Sequence, residues 1–240
     1  TQGSTLFPYT TLFRSIDDEL DLIASVIDLR DRDIIELGCG KAQLARNLLA
    51  RWPGNRVVGL EVDARQHAQN VADPSPGLAF VHAGAQAIPF DDARFDLALM
   101  LKSLHHIPLP LIDRALDEAA RVLRPGGLLY VSEPVFAGSL NEVIRLFNDE
   151  AQVRAAAQEA LRRAEASARW EAAGEIWFET LVQFRDFDQF RQRMIDVSFA
   201  ERRLDDATLA EVRRRFEPHM TPEGARFVRP MRVNLLRRRA

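Results

Sequence analysis

Residues Asp33 to Gly40 read Asp-Ile-Ile-Glu-Leu-Gly-Cys-Gly, a short apolar run that ends in a glycine turn. Such a run suits a parallel strand covered on both faces. Glycine lets the chain bend sharply and lets the backbone approach a ligand closely. From Lys41 to Arg51 the apolar residues recur at helical spacing, and Pro53-Gly54 stops them. Strand, glycine turn and helix form the first unit of the fold.

Working outward, the chain repeats that unit up to Pro134. Arg56 to Val62 is predicted as a second strand, Ala64 to Ala72 as a helix, and Leu78 to Ala83 as a third strand after the breaker-rich Asp73-Pro74-Ser75-Pro76-Gly77. Phe95 to Leu101 is a fourth strand, and Leu109 to Leu123 a helix. Pro125-Gly126-Gly127 then turns the chain into a fifth strand, Leu128 to Glu133. Upstream, Leu20, Ile23, Ala24 and Ile27 give Ile16 to Leu29 a helical period. Alternating strands and helices mean an α/β fold, a Rossmann-like and mostly parallel sheet with helices on both faces. Right-handed crossovers place the strand C-termini on one edge, where such sheets bind ligands.

The pattern changes after Pro134. Ser139 to Trp170 reads as a long polar helical stretch broken in two, Trp177 to Phe184 as a strand, and Asp188 to Asp196 and Asp205 to Phe216 as helices. Phe227 to Leu236 reads as a last strand, with Arg237 to Arg239 trailing as a solvated tail. The expected whole is a seven-stranded sheet with a helical insertion after strand five. Residues 16–240 are expected to form a single domain, with 16–134 as its core and 135–240 completing it.

Apolar residues make up 47% of the chain and charged residues 28%, enough for a core and a solvated surface. The net charge of −3 argues against a nucleic-acid surface. No run of about 18 apolar residues is present to span a membrane. Cys39 is the one cysteine, so no disulfide forms within the chain and a reduced, cytoplasmic setting is expected. No His/Cys/Asp group has metal-ligand spacing, so no metal is expected. Thr5 to Ser15, Thr-Leu-Phe-Pro-Tyr-Thr-Thr-Leu-Phe-Arg-Ser, resembles the in-frame translation of a sequencing-library adapter, and residues 1–15 are expected to be a non-native leader.

The glycine turn opens a helix, whose free amide groups and positive dipole end favour a carboxylate or phosphate. Glu61, at the end of the second strand, can accept both hydroxyls of a ribose. Turn and acid together indicate an adenosine-type ligand. The dinucleotide fingerprint wants a third glycine three residues after Gly40, where Gln43 stands.

Glu36-Leu37-Gly38-Cys39-Gly40 resembles the first motif of class I methyltransferases, which use S-adenosylmethionine. Ile88-Pro89-Phe90 with Phe95-Asp96 is similar to that family's segment leading into strand four. Leu104-His105-His106-Ile107 resembles its loop after strand four, and Arg121-Val122-Leu123-Arg124-Pro125-Gly126-Gly127 its approach to strand five. The motifs keep the family's order over Asp33 to Glu133 and resemble most the small-molecule enzymes of quinone-pathway type. The resemblance implies that Glu36, Gly38 and Gly40 border the methionine half of the cofactor and that Glu61 holds the ribose. It implies backbone contacts near Ala85 to the adenine and near Leu101 to the methionine amino group. Two departures stand out. Ala42 replaces the family's third glycine. Ala83-Gly84-Ala85-Gln86 lacks the acid that many relatives set near the adenine amino group, leaving Gln86's amide oxygen or a water in its place. The stretch Ser139 to Trp170 lies where relatives insert a substrate-covering lid, although it equally suits a helix packed on the core.

A sulfonium methyl is already electrophilic, so a general base is needed only when the acceptor must lose a proton. His105 and His106, just past strand four, can take one near neutral pH, or can simply pack or cap the next helix. Glu133, at the end of strand five, is a second candidate base or substrate contact. Cys39 reads as a small turn residue rather than a nucleophile. The expected activity is methyl transfer to a small-molecule acceptor. Its rivals are a protein or enzyme that binds S-adenosylmethionine without transferring methyl and a nicotinamide-dependent oxidoreductase.

Overall fold

A computed structural model of the chain describes residues 14–196 and 204–240. In chain order its elements are β1 (Arg14–Ser15), α1 (Glu19–Val26), β2 (Asp33–Leu37), α2 (Gln43–Arg51), β3 (Arg56–Glu61), α3 (Ala64–Ala72), β4 (Leu78–His82), β5 (Phe95–Leu101), α4 (Ile112–Val122) and β6 (Leu123–Pro134). There follow α5 (Ser139–Ile144), α6 (Ala151–Ala166), β7 (Trp170–Phe184), α7 (Phe187–Met194), α8 (Asp206–Phe216), β8 (Met220–Thr221) and β9 (Gly224–Arg238).

All five residues of β2 are buried, as expected of a strand covered on both faces. The sheet runs β1-β7-β9-β6-β5-β2-β3-β4, with the short β8 paired to β9. Strands β4, β3, β2, β5 and β6 are parallel, while β9 pairs antiparallel with both β6 and β7. Seven strands have five or more residues, which matches the expected seven; β1 and β8 add two residues each. The chain enters at β2, proceeds outward through β3 and β4, then returns to β5 on the other side. The strand order therefore reverses between β2 and β5, and ligands of open α/β sheets bind outside that point.

Two apolar clusters sandwich the sheet. One joins Ile35, Leu60, Ala98 and Met100 to the inner face of α4 and α6. The other joins Ile34, Val57, Leu97 and Leu99 to α1 and α2. At the N-terminal end of the strands, Asp33 pairs with Arg56 (2.7 Å) and Arg124 (3.0 Å), and Arg124 with Asp96 (2.6 Å), tying β2, β3, β5 and β6 together away from the ligand edge. The Arg56 hydrogen bond, followed by that of Arg124, holds the Asp33 carboxyl below its ordinary range. A third cluster, with Phe184, Phe187, Phe190, Phe216 and Phe227, binds α5, α7 and α8 to the ends of β7 and β9.

Several boundaries differ from expectation, each for a local reason. Helix α2 starts at Gln43 because Gly40 and Ala42 adopt left-handed backbone. Helix α4 starts at Ile112, after a 3₁₀ turn over Leu109–Leu111 that contains Pro110. The Ser139–Trp170 stretch breaks into α5 and α6, and Trp170 itself opens β7, seven residues before the expected strand. Its first residues, Trp-Glu-Ala-Ala-Gly-Glu-Ile, do not alternate apolar and polar, yet they pair with the far end of β9 across an irregularity at Ala172/Gly174. The arginine tail is a correction. Arg237 and Arg238 lie in β9, the Arg238 guanidinium donates to the Leu123 carbonyl, and Arg239 Nε donates to Trp170 O at 2.8 Å. Of the adapter-like Thr5–Ser15, only Arg14 and Ser15 fall among the described residues, where their backbone pairs with Phe178 and Glu179 of β7.

Candidate active site

The glycine turn after β2 is built to be approached. Gly38 (φ 79°) and Gly40 (φ 52°) occupy the left-handed region. There an L side chain costs about 1–2 kcal/mol. The Gly38 and Cys39 amides donate to Leu60 O at 3.0 and 2.9 Å, which folds the turn back over β3. A Cβ at Gly38 would lie 2.8 Å from Ser103 Cβ. A Cβ at Gly40 would meet nothing within 4 Å, so open space lies over the turn. Ala42, at the third-glycine position, also has positive φ (54°) and carries that strain.

Two carboxylates flank the turn. Glu61 Oε2 accepts from the Gly40 amide and Oε1 from the Asp63 amide, both at 2.8 Å. A carboxylate offers about four lone-pair sites, so each oxygen keeps acceptor capacity for a ribose hydroxyl. Glu36 is 5% exposed, and its Oε2 is buried without a hydrogen-bond partner. Burial pushes its carboxyl up to about 8, against the opposing pull of the Ala45 amide and the Lys102 charge. Open space over Gly40 beside an unsatisfied buried acceptor suits a cationic ligand that approaches the backbone closely. The methionine half of S-adenosylmethionine fits that requirement. Cys39 is buried, and burial above all pushes its thiol up to about 12, which agrees with a turn residue rather than a nucleophile.

The acceptor side forms beyond β5 and β6. Leu101 ends β5, and Lys102 follows in left-handed backbone (φ 56°), its amide donating to Ser132 O at 2.7 Å. A 3₁₀ turn over Leu104–His106 then places His105 against the end of β6. Glu133 Oε1 accepts from the Leu104 amide at 2.9 Å, and its Oε2 bonds His105 Nδ1. The other ring nitrogen, Nε2, lies 3.9 Å from Glu150 Oε2. His105 and Glu133 are separate candidates in the sequence; the structure makes them one buried pair. His106 stacks at a tilt on His105, ring centroids 4.0 Å apart. Burial, and then the charge of His105, hold its imidazole below the ordinary range.

Lys102, His105 and His106 line a cavity of about 190 Å³ together with residues of α5, Glu150, Arg154 and Arg229. An apolar cavity of about 150 Å³ holds a benzene ring, so this one takes a ring-sized group. Val135, Leu140, Ile144 and Met194 give it an apolar wall. Arg154 bonds Glu150 at 2.6 Å; burial works against the Glu150 anion, but the charge and hydrogen bond of Arg154 outweigh it and hold the carboxyl low. Donor atoms of His105, His106 and Glu150 lie within 4.8 Å of one another. Spacing could not reveal that set, because Glu150 arrives from a distant helix end, and Arg154 already supplies a cation to its acid.

Of the other sequence candidates, Ala85 is buried in the loop after β4, where Gln86 folds its amide over Gly84. The sequence reading missed Lys102, Glu150, Arg154 and Arg229. Only the charge of Lys102 directly after a strand end offered any signal.

Residues 34–127 match a family model described as a methyltransferase domain. The chain is 34% identical over 121 residues to the 27-O-demethylrifamycin SV methyltransferase of Amycolatopsis mediterranei, which covers 47% of this chain and 43% of that protein. It is 36% identical over 111 residues to the fatty-acid O-methyltransferase of Mycolicibacterium smegmatis, 43% of this chain and 38% of that protein. The chain thus spans less than half the length of these curated relatives. Among solved structures, the YcgJ protein of Bacillus subtilis superposes with a TM-score of 0.64 at 14% identity, over 92% of this chain and 98% of that one. The [4+2]-cyclase SpnF superposes with a TM-score of 0.60 at 21% identity, over 92% and 80%. Both likenesses concern the fold. The segment 34–127 is thus similar to methyltransferase domains.

Proposed function

We propose that this chain transfers the methyl group of S-adenosylmethionine to a small-molecule acceptor, with His105 as general base and Glu133 as its positioning residue. The observation that carries the reading is the adjacency of two half-sites. The open, acid-flanked glycine turn and the His105 cavity share Lys102, whose charge acts on Glu36 and whose side chain lines the cavity. Both matched relatives carry names of small-molecule methyltransferases, which supports a small-molecule acceptor.

When bound, S-adenosylmethionine supplies a sulfonium methyl that needs only an aligned nucleophile. The chain supplies the alignment. Glu36, Gly38 and Gly40 border the methionine half, the Leu101 backbone meets the amino group, Glu61 takes the ribose hydroxyls, and the Ala85 backbone meets the adenine. The apolar wall of the cavity excludes water from the acceptor. Proximity of this kind supplies up to about 7–11 kcal/mol of the barrier. His105 Nε2 takes the acceptor's proton, and Glu133 Oε2 keeps the ring in the required tautomer and stabilises the imidazolium. No described helix is long and apolar enough to cross a membrane. A cytoplasmic location is part of the proposal, supported by the single buried cysteine.

The test is incubation with methyl-labelled S-adenosylmethionine and a panel of phenols, carboxylic acids and enols. The measured quantities are label in the acceptor and stoichiometric S-adenosylhomocysteine. Failure of S-adenosylmethionine to bind in calorimetry overturns the reading. So does an acceptor that changes while no S-adenosylhomocysteine forms, which would mark an enzyme that uses the cofactor without methyl transfer.

A further inference from the structure

Three cations line the acceptor cavity: Lys102, Arg154 and Arg229. Two are engaged by acids. Lys102 Nζ lies 3.5 Å from Glu19, and Arg154 lies 2.6 Å from Glu150 while also donating to Val135 O and Asn141 Oδ1 at 3.2 Å. Arg229 differs. Its Nε makes one long hydrogen bond, 3.4 Å to Thr180 Oγ1, and among the described residues it forms no ion pair. Burial holds its guanidinium below the ordinary range, Glu19's more distant charge partly offsets this, and Arg154's adds to it.

The topology explains how Arg229 reaches the cavity. In the antiparallel pairing of β6 with β9, Pro134 faces Met231, so Arg229 lies two residues beyond the end of β6. The Val135 amide donates to Pro230 O at 2.9 Å and fixes that overhang above the ligand edge. A guanidinium does not shed its proton in a protein. Arg229 is half-buried, and a guanidinium partly withdrawn from water without a counter-ion is favoured when an anion arrives. Its planar fork matches a carboxylate with two parallel hydrogen bonds. Glu150, the acid that shares the cavity, is already engaged by Arg154 and does not serve Arg229.

We propose that Arg229 is the recognition site for a carboxylate borne by the methyl acceptor, so that the substrate class is small, ring-sized carboxylated molecules. The proposal rests on the methyl-transfer reading for the word acceptor; the anion site itself rests on Arg229, the cavity and its charge balance.

The experiment is a calorimetric titration of the full chain, saturated with S-adenosylmethionine so that the methionine-carboxylate site is filled. The probes are benzoate and its uncharged isostere benzamide. The expected result is saturable benzoate binding and benzamide binding at least tenfold weaker. Arg229→Gln should weaken benzoate about 10- to 100-fold, as loss of a charge-assisted hydrogen-bonded pair does, and leave benzamide and S-adenosylmethionine unchanged. Arg229→Lys should keep part of the preference. Equal binding of benzoate and benzamide by the unaltered chain overturns the proposal without any variant. So does benzoate affinity that is indifferent to Arg229→Gln. If S-adenosylmethionine itself does not bind, the methyl-transfer reading fails, and the same titration of the apo chain decides the anion site separately.

Discussion

Glu36 should make the cofactor-free chain less stable as pH rises through neutrality. Its carboxyl is pushed from 4.5 up to about 8 because it is sealed from water with one oxygen unpartnered. The folded state thus favours the protonated form more than the unfolded chain does. The resulting stabilisation is fully present below pH 4.5 and is lost progressively until pH 8. At 1.36 kcal/mol per pKa unit, that rise amounts to roughly 4–5 kcal/mol over the window. Glu36→Gln keeps the shape and the acceptor but cannot ionise, so its stability should lack that slope. Urea unfolding of both chains between pH 5 and pH 9 measures the difference directly. A second consequence concerns the ligand. At pH 7 a group titrating near 8 is about 90% protonated. A cationic ligand placed beside it should expel that proton. Calorimetry in buffers of different ionisation enthalpy should then show close to one proton released per S-adenosylmethionine bound, none for Glu36→Gln, and none for the unaltered chain at pH 9.5. Parallel stability profiles for the two chains, together with no proton release at pH 7, would refute the reasoning that burial governs this acid.

Further outcomes are expected elsewhere in the site. Glu61→Ala should weaken S-adenosylmethionine binding about tenfold or more in calorimetry, because hydrogen bonds to a charged acceptor contribute about 1.5–3 kcal/mol each. It also strips the Gly40 and Asp63 amides of their acceptor. His105→Ala and Glu133→Gln should each lower turnover on an identified protic acceptor, by about 10²–10⁴-fold for the histidine, with cofactor affinity unchanged. His106→Ala should stay within a few-fold of wild type, and rates within a few-fold of wild type for all three folded variants would show that no general base acts. A chain starting at Ile16 should fold and bind S-adenosylmethionine like the full chain, since Arg14 and Ser15 add only a two-residue edge strand; a large drop in Tm would disprove this.

The cofactor half of the site was legible because it is local. Gly38, Gly40 and Glu61 sit on one strand-helix-strand unit, whose two strands are neighbours by default, here with Leu37 beside Leu60. The acceptor half depends on which strands become neighbours. Leu101 of β5 pairs with Ser132 of β6, so the residues that follow each strand end must meet, and this register joins His105 to Glu133. Strand adjacency would have turned two separate candidates into a pair. Arg229 was out of reach on other grounds. It shares β9 with Arg226 and Arg232, and nothing local distinguishes the three. Arg226 lies 3.8 Å from Glu223 at the surface, and Arg232 is paired with Glu175 of β7. Arg226 and Arg229 both fall where β9 overruns the end of β6, but of the three it is Arg229 that lines the cavity, and the residue opposite it is Thr180, which carries no charge. A β9 shifted by two residues against β7 would put Phe227 or Met231, neither of them charged, opposite Thr180 in place of Arg229. The charge that reads the acceptor is thus set by strand register, a tertiary property that composition and periodicity do not encode.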